Sequence, residues 1–109
     1  MSLATLSTHV LDAVTGQPAA AVTVILTDAD GTTLATAATD ADGRVKALTA
    51  GLGPGIYRLT FATGAYFAAR EVTTFYPEVV IAFEVTDAQA HYHVPLLLSP
   101  YAYSTYRGS

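Results

Sequence analysis

Three histidines are the residues of this 109-residue chain best suited to acid–base chemistry near neutral pH. His91 and His93 stand two apart in His91-Tyr-His-Val-Pro-Leu-Leu-Leu98. In an extended segment that spacing sends both imidazoles to one face, opposite Tyr92, Val94 and Leu96. His9 lies in a strand candidate, Thr5 to Asp12, whose other face carries Leu6 and Val10, so its ring also points away from the core. Taken singly, each is equally a hydrogen-bonded interface or core histidine. Taken together, His9, His91 and His93 are a candidate three-nitrogen zinc site with an open position. Arg44 follows the turn Asp40-Ala-Asp-Gly43, where it either solvates a loop or serves a site, and Arg107 either pairs with an acid or anchors the chain end. No Gly-x-Ser-x-Gly elbow supports a serine nucleophile.

The segment Tyr101-Ala-Tyr-Ser-Thr-Tyr-Arg-Gly-Ser109 reads as a strand running to the last residue. Alternation puts Tyr101, Tyr103, Thr105 and Arg107 on one face and Ala102, Ser104, Tyr106 and Gly108 on the other. Terminal segments are usually frayed and polar. One ending in aromatics, an arginine and a glycine has to be tied down.

These residues need a scaffold, and turn signals at short, regular intervals describe it. Strands are expected from Thr5 to Asp12, Val22 to Asp28, Thr32 to Thr39, Arg44 to Leu48, Ile56 to Ala62, Val79 to Val85, Ala90 to Leu98 and Tyr101 to the end. Asp28-Ala-Asp-Gly31 and Asp40-Ala-Asp-Gly43 supply matching turn chemistry. Gly64 to Glu71 is the one plausible helix, about two turns long and dependent on tertiary packing. Pro95 cannot donate to a ladder, which marks its part of the strand as an edge or a bulge. About eight short strands at this spacing predict an all-β antiparallel sandwich.

Composition narrows the class. The length suits one domain, residues 1–109, and the absence of cysteine removes disulfides and thiolate chemistry. Charged residues are 13% of the chain, against about a quarter in average proteins, while 51% are hydrophobic. A small domain with so little charge is expected to cover apolar surface with other subunits. The net charge of −4 and five scattered cations argue against nucleic acid. The apolar runs are too short to span a membrane. Met1-Ser-Leu-Ala-Thr5 shows no export signal, so the cytoplasm is the expected compartment.

Five segments, in order, resemble the transthyretin-related 5-hydroxyisourate hydrolase family. They are Ser7-Thr-His-Val-Leu-Asp-Ala-Val-Thr-Gly-Gln-Pro-Ala19, Thr39-Asp-Ala-Asp-Gly-Arg44, Gly55-Ile-Tyr-Arg58, Phe75-Tyr-Pro-Glu78 and the closing block from His91 to Ser109. The likeness runs in register from about Leu6 to Ser109. It implies a transthyretin-like sandwich of two four-stranded sheets with one short helix, assembled as a homotetramer, a dimer of dimers, with sites in the channel between dimers. It implies no cofactor and no metal.

Carried over by position, the resemblance makes His9, Arg44 and His93 the catalytic set. It adds His9, Arg44, Ser104, Tyr106 and Ser109 as substrate-binding residues, with His91, Arg107 and Gly108 in support. The implied reaction is hydrolytic opening of the six-membered ring of 5-hydroxyisourate to an ureidoimidazoline in urate degradation. Water attack on a ring amide needs a base, a cation near the developing oxyanion and an acid for the leaving nitrogen. Two imidazoles and a guanidinium cover these roles. Transthyretin, a carrier of the same fold, lacks this set and the Tyr-Arg-Gly-Ser ending. A carrier without turnover is the alternative reading, and a plain structural module a third.

Overall fold

The computed structural model describes residues 3–49 and 51–109. Met1 and Ser2, which begin the segment read for an export signal, lie outside the described residues. Chain order is β1 (Thr5–Asp12), β2 (Gln17–Pro18), β3 (Thr23–Asp28), β4 (Thr33–Ala38), β5 (Arg44–Val45), β6 (Gly55–Phe61), α1 (Thr63–Ala68), β7 (Val79–Val85), β8 (His91–Leu98) and β9 (Tyr103–Thr105).

Two sheets face each other. One runs β4-β3-β6-β7, and the other runs β2-β1-β8-β9, with β5 also paired to β1. β8 occupies one edge of β1 along its whole length, so β2 and β5 lie end to end on the opposite edge, at Leu11–Asp12 and Thr8–His9. Each sheet is therefore four strands wide. Every ladder is antiparallel except β1 with β8, which is parallel and in register from Thr5–His91 to Asp12–Leu98.

Period-two alternation sets the layers. Leu6, Val10, Leu96 and Leu98 from one sheet meet Val24, Leu26, Leu59, Phe61, Val79 and Val85 from the other, all at most 2% exposed. Each such side chain contributes about 1.5–3 kcal/mol by leaving water. Thr8 is polar yet fully buried, and its hydroxyl is satisfied by donating to the Val94 carbonyl at 2.6 Å. This inward register obliges Thr5, Ser7 and His9 on β1, and His91 and His93 on β8, to project from the outer face.

β2, at Gln17–Pro18, is a strand the sequence does not announce, and three expected elements are markedly shorter. The helix ends at Ala68, three residues early, because Glu71 turns into the left-handed region at φ 58° and Val72 N–H closes back on the Phe67 carbonyl. The segment from Arg44 to Leu48 shrinks to the two residues of β5. The terminal strand also shrinks, to Tyr103–Thr105, so the alternation drawn through to Gly108 does not continue. Pro95 explains where it stops: β9 pairs with Leu96, Leu97 and Leu98 only. From His91 to Val94, β8 has a ladder partner on its β1 side alone, which is the edge character proline signalled.

Candidate active site

The site is built on the outer face of β1, β8 and β5. In the β1–β5 ladder His9 is the direct partner of Arg44, and in the β1–β8 ladder Ser7 partners His93 while His9 partners Pro95. A cleft of about 200 Å³ opens there, lined by Ser7, Thr8, Arg44, Val45, Lys46, His93 and Ser109. His9 is half-buried at its margin rather than among the lining residues.

Arg44 is delivered by its turn. The Asp40 carboxylate accepts the backbone N–H groups of Asp42 at 2.9 Å and Arg44 at 3.0 Å, and the Gly43 amide donates to the Asp40 carbonyl. The bond from the Arg44 amide leads the effects that hold the Asp40 carboxyl below its usual pKa, with Lys46 and Arg44 charges adding to it. Gly43 has φ 73°, its carbonyl accepts from Val10 N–H at 2.7 Å, and a Cβ there would run into the Val10 carbonyl. Only glycine fits so close to β1.

His93 is fixed from two sides. Its Nδ1 is 2.7 Å from Ser7 Oγ, so Nε2 is the nitrogen left for a group in the cleft. Its carbonyl accepts the Gly108 amide at 2.9 Å, and Gly108 sits so close to the imidazole that a Cβ there would overlap Cδ2. Burial, followed by the charges of Arg44, His9 and His91, pushes the His93 pKa below the ordinary 6.5, with hydrogen bonding at Ser7 opposing them. A histidine so placed is neutral at pH 7 and ready to accept a proton.

His91 is more exposed and doubly bonded: Nε2 is 2.8 Å from Ser7 Oγ, and Nδ1 is 2.6 Å from Thr5 Oγ1. Among the described residues no three His, Asp or Glu side chains gather in a metal-holding arrangement. Of the candidate zinc grouping of His9, His91 and His93, the last two are joined through the Ser7 hydroxyl.

The chain end is held down without a long strand. Thr105 Oγ1 donates to the Pro95 carbonyl at 2.7 Å, and the Arg107 guanidinium lies 4.6 Å from the centre of the Tyr92 ring. The Tyr92 hydroxyl in turn accepts the Thr86 and Asp87 amides. Of the tail residues only Ser109 lines the histidine–arginine cleft. Tyr106 and Arg107 line a separate cavity of about 320 Å³ with Ile81, Phe83, Tyr92 and His93. Ser104 lies on a third surface, with Leu97 and Tyr103. Within one chain, then, Ser104 and Tyr106 stand apart from His9 and Arg44.

Thr5, Ser7 and Lys46 are site residues that the sequence alone does not single out. Ser7 and Thr5 share the β1 face of His9 at intervals of two, and Lys46 stands two after Arg44. Both signals were present, but nothing local says that β8 lies beside β1 in parallel.

Comparison with known proteins places this geometry. Residues 6–108 match the family described as HIUase/Transthyretin family. The 5-hydroxyisourate hydrolase of Salmonella typhimurium is 50% identical over 109 residues, covering 95% of this chain and 80% of that protein. The solved structure of Klebsiella pneumoniae 5-hydroxyisourate hydrolase superposes with a TM-score of 0.90 at 44% identity, covering 97% of this chain and 94% of the other. Sea bream transthyretin in complex with thyroxine superposes with a TM-score of 0.89 at 35% identity, covering 94% and 93%.

Proposed function

This chain belongs to the HIUase/Transthyretin family, and from that premise and the site's geometry we propose that it hydrolyses 5-hydroxyisourate. The observation that carries the reading is the meeting of Arg44 and His93 in one cleft, with His9 across the ladder from Arg44. The substrate is a flat ring edged with carbonyls and amide N–H groups. The guanidinium fork suits those edges and lowers the energy of an oxyanion forming on the attacked carbonyl. His93, held neutral, takes the proton from attacking water, and the scissile amide C–N bond breaks as its nitrogen is protonated. His9, beside Arg44, assists in orienting the ring or the water.

The resemblance to a transthyretin that holds thyroxine supports carriage as the second reading. Stoichiometry separates the two. A carrier removes at most one substrate molecule per site, whereas the hydrolase consumes many. With substrate in hundredfold excess over chain, the hydrolase reading expects the whole excess to be ring-opened far faster than it decays unaided. Rapid removal of one equivalent, with the remainder decaying at the unaided rate, would establish carriage instead.

The working assembly in this proposal is a homotetramer whose subunits share the walls of the site. Exposed Phe75, Tyr101, Tyr103 and Tyr106, and edge strands β7 and β9 without outer partners, support it. Such an arrangement would let Tyr106 and Ser104 of one subunit approach the cleft of another. The expected solution mass is near four times 11.4 kDa; a fully active species at the mass of one chain would contradict it.

A further inference from the structure

One hydroxyl group touches two imidazoles. Ser7 Oγ lies 2.8 Å from His91 Nε2 and 2.7 Å from His93 Nδ1, while Thr5 Oγ1 lies 2.6 Å from His91 Nδ1. A serine hydroxyl has a single proton, so it donates to one ring and accepts from the other. Two ordered arrangements satisfy all three contacts. In the first, Thr5 donates to His91 Nδ1, His91 Nε2–H donates to Ser7, Ser7 donates to His93 Nδ1, and His93 keeps its proton on Nε2. In the second every proton is reversed: His93 Nδ1–H donates to Ser7, Ser7 to His91 Nε2, and His91 Nδ1–H to Thr5, leaving His93 Nε2 bare. The first arrangement presents an acid to the cleft and the second presents a base.

We propose that Ser7, His91 and Thr5 are a proton wire that drains the proton His93 takes up in the cleft to the exposed rim of the sheet. The proposal rests on the hydrolase reading for the source of that proton, which is the attacking water. His93 Nε2 accepts one proton, its Nδ1 proton passes to Ser7, and the Ser7 proton passes to His91 Nε2. His91 then carries the positive charge and releases its Nδ1 proton past Thr5 to solvent. His93 is left neutral with Nε2–H, the donor needed by the departing nitrogen. When that proton is given up, the wire runs back: Ser7 returns a proton to Nδ1, His91 to Ser7, and His91 takes one from solvent.

The surroundings give the wire its direction. Positive charge on His93 faces Arg44 from β5, His9 from β1 and His91 from its own strand, in a partly buried position. Lys46 lines the same cleft. His91 is exposed, and solvent stabilises the charge there. Neither Ser7 nor His91 needs to touch substrate, so both are positioning residues for His93.

The test has one arm without turnover and one with it. Nitrogen-15 NMR of the imidazoles in the full-length protein, without substrate, reads the tautomers directly. The wire requires His91 and His93 to share a tautomer, both Nε2–H or both Nδ1–H, and Ser7→Ala to break that match. A fixed mixed pair in the wild type overturns the proposal, and this result does not depend on the substrate being right. In the kinetic arm, Ser7→Ala is expected to lower kcat by about 10–10²-fold with KM little changed. Ser7→Thr, which keeps the hydroxyl, should recover most of it. Rates in mixed light and heavy water should fall along a curve for wild type, as for several protons in flight, and along a straight line for Ser7→Ala. Ser7→Ala with wild-type kcat and the wild-type curve overturns the wire. A wild type that never turns over 5-hydroxyisourate defeats the hydrolase reading and leaves the tautomers to decide the wire.

Discussion

Gly108 lies against the ring of His93: its amide donates to the His93 carbonyl at 2.9 Å, and a Cβ added to it would overlap Cδ2 of the imidazole. The tail thus acts as a backstop for the histidine that Ser7 holds from the other side. Gly108→Ala should displace the ring while leaving both sheets intact, since the contact lies outside the core. A misplacement approaching 1 Å is expected to cost on the order of 10²-fold in turnover. The measurement is kcat beside the melting temperature, and an unchanged kcat would mean the ring does not depend on this contact.

Replacing His9, Arg44 or His93 by alanine should lower turnover by about 10²–10⁴-fold each, without unfolding the chain. None of the three contributes to the buried core, so circular dichroism should stay native. His91→Gln is expected to cost less, because it acts through Ser7 rather than on substrate. Wild-type rates in all three alanine variants would remove the mechanism.

Much of the scaffold that carries these residues was legible from alternation. β1 and β7 have the bounds their apolar periodicity predicted, and the outward facing of His9, His91 and His93 follows from Leu6, Val10, Tyr92, Val94 and Leu96 turning inward. The parallel pairing of β1 with β8 was not legible, because strands 86 residues apart in sequence leave no local mark of register. Ser7 therefore looked like an ordinary strand residue until His91 and His93 were beside it. The tail misled for a different reason. Tyr and Thr favour strands, but the β9 ladder ends opposite Leu96, and residues 106–109 are held instead by the Gly108 amide on the His93 carbonyl and the cation–π contact of Arg107 with Tyr92.

Stability should depend on pH through His93. Its folded pKa is depressed below 6.5, first by burial and then by Arg44, His9 and His91. Between the two values the unfolded chain binds the proton that the folded chain refuses. The contribution is complete above about 6.5, declines as pH falls below it, and levels off once the pH is under the folded value. His93→Gln removes this group, so denaturant titrations across that window should show a shallower slope than wild type. Equal slopes would mean that His93 titrates alike in both states.

Deleting residues 106–109 removes the Gly108 backstop, the Arg107 contact with Tyr92 and the Ser109 wall of the cleft together. The expected product is folded and nearly inactive, with a modestly lower melting temperature. Tyr106→Phe isolates the phenol hydroxyl: it should lose part of the activity if a neighbouring subunit presents Tyr106 to the cleft. A truncated chain working at full rate would reduce the tail to a mere sheet edge.

Hydrolysis by this protein is read from the ultraviolet absorbance of 5-hydroxyisourate made in place from urate by urate oxidase. The compound decays slowly unaided, which supplies the background. Wild-type protein at catalytic concentration should accelerate that decay well above background, and the His93→Ala protein at the same concentration should accelerate it far less. Decay at the background rate with folded wild-type protein present would mean that the protein is not a 5-hydroxyisourate hydrolase.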